Sequence, residues 1–122
     1  MSNRYRDFVW TINNPQEGRV EQLIAEATLL QDTIRLLAFQ GERGEAGTPH
    51  LQGFVQFANA RSVTSLTRPT GLLRGGHVER RGGSPRQAFE YATRDDTADP
   101  TVAERYVQGQ IPPSGEFSGA GK

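Results

Sequence analysis

Two short stretches of the chain carry residues able to do chemistry on a phosphodiester. In "GTPHLQGFVQF", which begins at Gly47, His50 precedes Gln52 by two positions inside an apolar run. Residues two apart on a strand share a face, so the imidazole and the amide point one way and Leu51 the other. Glu42 closes the preceding apolar run, and a hairpin between the two runs would bring its carboxylate to the same face. One imidazole nitrogen, one carboxylate and one amide oxygen suit a hard or intermediate ion, Mg²⁺ or Mn²⁺, better than structural zinc. Gln is a neutral ligand, so water or substrate phosphate would complete the shell. Alone, the His-x-Gln pair is a weak signal, and two polar residues on a solvent-facing strand are its commoner meaning. The second stretch is "EYATRDD". On a helix, Tyr91, Arg94 and Asp95 would gather on one face. A tyrosine hydroxyl attacks a phosphodiester once its proton is removed and a metal polarises the phosphate. Arg94 beside it could ease the loss of the tyrosine proton or bind the scissile phosphate. The plainer alternative is a half-buried helix tyrosine packed on a sheet with its hydroxyl in water.

These side chains need elements to position them. "YRDFVWTI", Tyr5 to Ile12, is rich in aromatic and β-branched residues and closed by "NNP", which predicts a strand and a turn. Val20, Leu23, Ile24, Ala27 and Leu30 recur at helical spacing, predicting an amphipathic helix. "TIRLLAFQGE" and "HLQGFVQF" read as two strands joined by the glycine-bearing connection "RGEAGTP". "SVTSLTRP" predicts a short helix stopped near Pro69. "LLRGGHVERR" predicts a fourth strand, bulged at Gly75 and Gly76. A helix should start near Ser84, with Ser84 as N-cap and Pro85 at the first helical position. "TVAERYVQGQI" fits a short helix or an edge strand, and the closing "PPSGEFSGAGK" a linker or an artificial end. The expected fold is α+β: an antiparallel sheet of about five strands with helices covering one face, close to a split β-α-β, ferredoxin-like arrangement.

Composition narrows the function classes. A chain of 122 residues supports one domain with one modest core. Cysteine is absent, which excludes disulfides, thiolate metal sites and cysteine nucleophiles, and fits a reducing compartment. No apolar run approaches the roughly 20 residues of a membrane span, and "MSNRYRDFVW" lacks the apolar core of a signal peptide. Formal charge is zero, but from Arg61 to Arg94 seven arginines face two acids, Glu79 and Glu90. That basic third is a candidate phosphate-binding face, or simply a set of solvated arginines. His77 and Glu79 form a second i, i+2 pair and a rival metal site. Phe8 or Trp10 could stack bases, with at least one of them in the core. Asn13 and Asn14 could touch bases or make the turn.

In combination these stretches become specific. "FVWTINNP", "GTPHLQGFVQF" and "YATRDD" occur in the order of the three motifs of the HUH endonuclease superfamily. The chain resembles the origin-nicking domain of the replication initiator (Rep) proteins of circular single-stranded DNA viruses, of nanovirus and circovirus type. The similarity runs from about Tyr5 to Phe117. In those subfamilies glutamine replaces the second histidine of the metal motif, as Gln52 does here. "QGERGEAGTPHLQG" resembles the segment that supplies the metal glutamate, which assigns Glu42 as third ligand. "HVERRGG" is similar to the family as well, and Arg80 and Arg81 within it are candidate DNA contacts.

The resemblance implies an HUH endonuclease domain over 1–117, in the RRM-like form of the ferredoxin-like fold, followed by a linker or end at 118–122. It implies a metal-dependent enzyme that nicks and rejoins single-stranded DNA at a stem-loop origin, through a 5′-phosphate bond to Tyr91. Mn²⁺ or Mg²⁺ would be held by Glu42, His50 and Gln52. It further implies a monomeric domain excised from a longer protein with a C-terminal helicase domain, at work in the host nucleus. Lysine is usual in the third motif, and this chain has Arg94. Arginine stays charged where lysine can exchange a proton, so the expected role of Arg94 is electrostatic. A non-catalytic nucleic-acid-binding module on the same fold is the competing expectation.

Overall fold

The computed structural model describes residues 3–113. The expected linker at 118–122 and both ends of the expected 1–117 domain lie outside the described residues. The elements are β1 (Tyr5–Asn13), α1 (Arg19–Leu29), β2 (Ile34–Arg43), β3 (Pro49–Arg61), α2 (Val63–Thr67), β4 (His77–Arg80), α3 (Pro85–Ala92), a 3₁₀ turn (Asp95–Thr97) and β5 (Tyr106–Gly109). They build one five-stranded sheet in the order β4-β1-β3-β2-β5, with every neighbouring pair antiparallel. The first four strands form the split β-α-β core of a ferredoxin-like fold. The segment that fitted a helix or an edge strand is the edge strand β5, laid against β2.

Strand alternation sorts the side chains onto two faces. Phe8, Trp10 and Ile12 of β1 join Leu51, Val55 and Phe57 of β3 in the larger core, with Leu23 and Ala27 of α1 and Leu66 of α2. The opposite face carries a smaller cluster of Leu36, Phe54, Ala88 and Ala92, flanked by Val9 and Phe89. Helices therefore cover both faces, α1 and α2 one and α3 the other, and not the single face expected. The cause is legible in β2: Leu36, Leu37, Ala38 and Phe39 are all fully buried, and a strand apolar on both sides needs cover on both. Eight residues of α3 reach only about 12 Å. Beside it the sheet stays open, and the polar residues of interest lie there.

Three boundaries differ from expectation. The fourth strand is only His77–Arg80, because Leu72 and Leu73 are both buried in the preceding turn and cannot alternate. Gly75 adopts φ 79°, a turn conformation and not a bulge. This turn is tied to α1: Arg74 makes a two-pronged ion pair with Glu26, and Arg19 donates to the carbonyls of Leu72 and Arg74. The hydrogen bond from Arg74 holds the Glu26 carboxyl below its usual range. Strand β3 continues well past Phe57, to Arg61. Helix α3 starts as expected, with Ser84 and Gln87 in a reciprocal capping box and Pro85 in the first turn. It ends at Ala92, so Arg94 lies beyond it in extended conformation and Asp95 opens the separate 3₁₀ turn.

Candidate active site

Antiparallel register assembles the first half of the site. Glu42 pairs across β2 and β3 with His50, and Gln40 with Gln52. On the other side of β3, Asn13 pairs with His50 and Thr11 with Gln52. All of these point to the α3 face. Glu42 is buried, at 4% exposure, and its Oε2 accepts from Gln40 Nε2 at 3.0 Å and Thr97 Oγ1 at 2.8 Å. Its Oε1 is left facing His50 Nε2 at 3.3 Å. Two ligands bonded at about 2.1 Å to one octahedral ion stand about 3 Å apart, so this spacing fits a shared cation. Gln52 is held by 3.3 Å contacts, its Oε1 accepting from Thr11 and its Nε2 donating to the Trp10 carbonyl. Among the described residues no three His, Cys, Asp or Glu side chains cluster. A cation here would depend on the Gln52 amide, which fits the hard oxygen-rich set and not a zinc cage.

The second half comes from α3. Tyr91, 38% exposed, lines a depression of about 220 Å³ together with Thr11, Gln52, His77, Glu79 and Arg81. Beyond the helix end, the chain turns back so that the Arg94 guanidinium covers the Tyr91 ring at 4.3 Å, while its Nε donates to Thr97. Arg81 approaches the same ring at 5.9 Å. Asp95 does not join this cluster as helical spacing suggested; it pairs with Arg105 at 2.7 Å. The segment after α3 is pinned beside the metal-type residues by a bridge between Glu42 and Ala98, and by Gln40 donating to the Arg94 carbonyl at 2.7 Å. Nearby, Asp99 accepts from Thr101 and Arg43, which holds its carboxyl below the usual range.

A family described as "Putative viral replication protein" matches residues 5–95, a span that contains Glu42, His50, Gln52, Tyr91 and Arg94. The chain belongs to this family of viral replication proteins. It is 33% identical over 90 residues to the master replication protein of banana bunchy top virus, covering 74% of this chain and 27% of that protein. It is 40% identical over 105 residues to the replication-associated protein of canary circovirus, covering 84% and 33%. Over 90 residues it is 33% identical to the replication-associated protein of beak and feather disease virus, covering 74% and 29%. The chain thus spans about a third or less of the length of these relatives. No helix among the described residues is long and apolar enough to cross a membrane.

Within this viral replication-protein fold the expected DNA-contacting residues part company. Trp10 is 1% exposed and packs against Phe39 on the face away from Tyr91, so its ring cannot stack a base; Phe8 is core as well. Both sit at even positions of β1 and share one face, so one burial entailed the other. Asn14 makes the turn, at φ 50° with its N–H donating to the Pro49 carbonyl, whereas Asn13 stays exposed opposite His50. Arg80 and Arg81 line a basin of about 540 Å³ with Arg4, Arg6 and Arg35, against a single acid, Asp7. Of the arginine-rich third, Arg74 and Arg86 are instead taken up by Glu26 and Glu90. Sequence reasoning missed Gln40, Thr97, Arg105 and the basin's Arg4, Arg6 and Arg35. Only Gln40 had a signal, lying two residues before Glu42 on the same strand face.

Proposed function

We propose that this chain is a metal-dependent, single-stranded DNA endonuclease and ligase domain that nicks a viral replication origin through a covalent bond to Tyr91. One observation carries the reading: register sets Glu42 opposite His50 and places Gln52 on that face, at the edge of a depression that Tyr91 also lines. The Tyr91 oxygen would attack the scissile phosphorus, the bond to the 3′-oxygen would break, and a 3′-hydroxyl would leave. Rejoining is the reverse attack by a 3′-hydroxyl on the phosphotyrosine, so the bond energy is conserved. Glu42, His50 and Gln52 would hold the ion. When bound, Mn²⁺ or Mg²⁺ supplies Lewis-acid polarisation of the phosphate. Arg94, fixed over the Tyr91 ring, offers a permanent positive charge to the phosphate and orients the ring.

The arginine basin extends the site along the sheet, with Arg81 lining both it and the depression. Arg81 Nε has no acceptor among the described residues, and its guanidinium carries the charge that would meet a backbone phosphate. Single-strand affinity falls with salt by a slope of about 0.7 per phosphate neutralised. Replacing Arg35 and Arg81 together by alanine should therefore flatten that slope by about 1.4. Fluorescence anisotropy with a labelled oligonucleotide over a salt series measures it, and an unchanged slope removes the basin from the DNA path.

The reading is tested by incubating the protein with single-stranded oligonucleotides of candidate origin loops and Mn²⁺. A protein–DNA adduct that survives a denaturing gel, and fails to form with a chelator, is the expected result. Tight binding without any adduct would favour the non-catalytic binding module. The partner on this reading is a single-stranded origin loop in the host nucleus, with strand separation supplied by a helicase domain of the longer protein.

A further inference from the structure

We propose that His77, oriented by Glu79, takes the proton that the Tyr91 hydroxyl must lose in order to attack. The inference rests on Tyr91 being the nucleophile. His77 and Glu79 stand opposite Thr11 and Val9 across β4 and β1, on the α3 face, and both line the depression beneath Tyr91. The imidazole Nε2 meets the Glu79 carboxylate, which makes Nε2–H the donor, and Nδ1 has no hydrogen-bond partner among the described residues. The other polar groups around the depression and the Tyr91 ring cannot do this work. Arg81 and Arg94 remain protonated and accept nothing. Glu42 has one oxygen bonded by Gln40 and Thr97 and the other turned to His50.

The environment suits a proton acceptor. Charged or titratable groups facing the pair are Arg81 and Tyr91; β1 presents only Thr11 and Val9. Helix α2, packed on the other face of β4, carries no charge. At 71% and 60% side-chain exposure, His77 and Glu79 seal no core, and bound DNA would cover them. In the step, the proton passes from Tyr91 Oη to His77 Nδ1 as the Oη–P bond forms. The P–O3′ bond breaks with its electron pair on O3′, which takes a proton from water. His77 then returns its proton to solvent. On rejoining, the 3′-hydroxyl loses its proton and Tyr91 regains one.

The test is the single-turnover rate of adduct formation with Mn²⁺ and an origin-loop oligonucleotide, between about pH 5 and 9. His77→Gln should slow the reaction about 100-fold near neutral pH, the lower range for general-base loss. The deficit should shrink as pH rises and hydroxide replaces the base. Glu79→Gln should lose less, and added imidazole should restore His77→Ala. Oligonucleotide affinity should not change. Wild-type rate and pH profile in His77→Gln overturn the proposal, as does a pH-independent loss that imidazole cannot repair. Rescue by extra Mn²⁺ in place of base would make the pair metal ligands and equally overturn it. Absence of any wild-type adduct overturns the nucleophile reading itself, and this proposal with it.

Discussion

Tyr91→Phe is expected to lower adduct formation by at least about 10⁴-fold, the scale of losing a nucleophile, while fold and DNA affinity stay unchanged. The change removes one oxygen. That hydroxyl makes no hydrogen bond among the described residues, and the residue is more than a third exposed. Phenylalanine keeps the ring under Arg94 and Arg81, so stability should move by no more than about 0.5 kcal/mol. Gel adducts, anisotropy and thermal melting on one sample separate the three quantities. If the adduct persisted, the nucleophile would lie elsewhere, and the other tyrosines are poor replacements. Tyr5 packs on Phe8 at the core margin, and the Tyr106 hydroxyl donates to Gln108. Persistence would therefore point to a hydroxyl other than tyrosine, and to a different chemistry.

Much of the metal-type site was legible because it depends on local rules. The period of two puts His50 and Gln52 together, and a short hairpin must bring Glu42 beside His50. Tyr91 was legible as a helix residue through the Ser84–Pro85 start. Arg94 lies beside Tyr91 as expected but by another geometry: helical spacing put it there, whereas the helix stops and an extended turn returns it. Its stacking contact and its bond to Thr97 fit a fixed cation better than a mobile one. Thr97 and Arg105 were not legible, since they reach Glu42 and Gln40 only through the return of the chain after α3. The arginine basin escaped for the same reason. It gathers Arg4, Arg6 and Arg35 from three-dimensional adjacency, while the arginine-rich run is partly spent on ion pairs.

The burial of Trp10 makes a single methyl group on the facing strand costly. Gly53 pairs with Trp10 on one side and Phe39 on the other, and their rings meet 5.6 Å apart on the core face. A Cβ on Gly53 would fall 2.2 Å from two atoms of the indole. The indole cannot retreat, being enclosed in the main core. Gly53→Ala should thus cost about 3 kcal/mol, the upper end of ordinary overpacking, and lower Tm by roughly 10 °C for a domain of this size. The cost should fall sharply in a Trp10→Leu background, because the smaller side chain clears the space; equal costs in both backgrounds would refute the packing argument. The same substitution should also disturb the site. Gln52 is the neighbour of Gly53 and is oriented by the Trp10 carbonyl, so a shift of β3 against β1 moves a ligand-type amide as well as an aromatic ring. On the proposed metal-dependent reading, Mn²⁺ affinity measured by titration below the melting transition should drop in Gly53→Ala and recover with the Trp10→Leu partner. The aromatic row on one face then acts as the rigid floor under the polar row on the other.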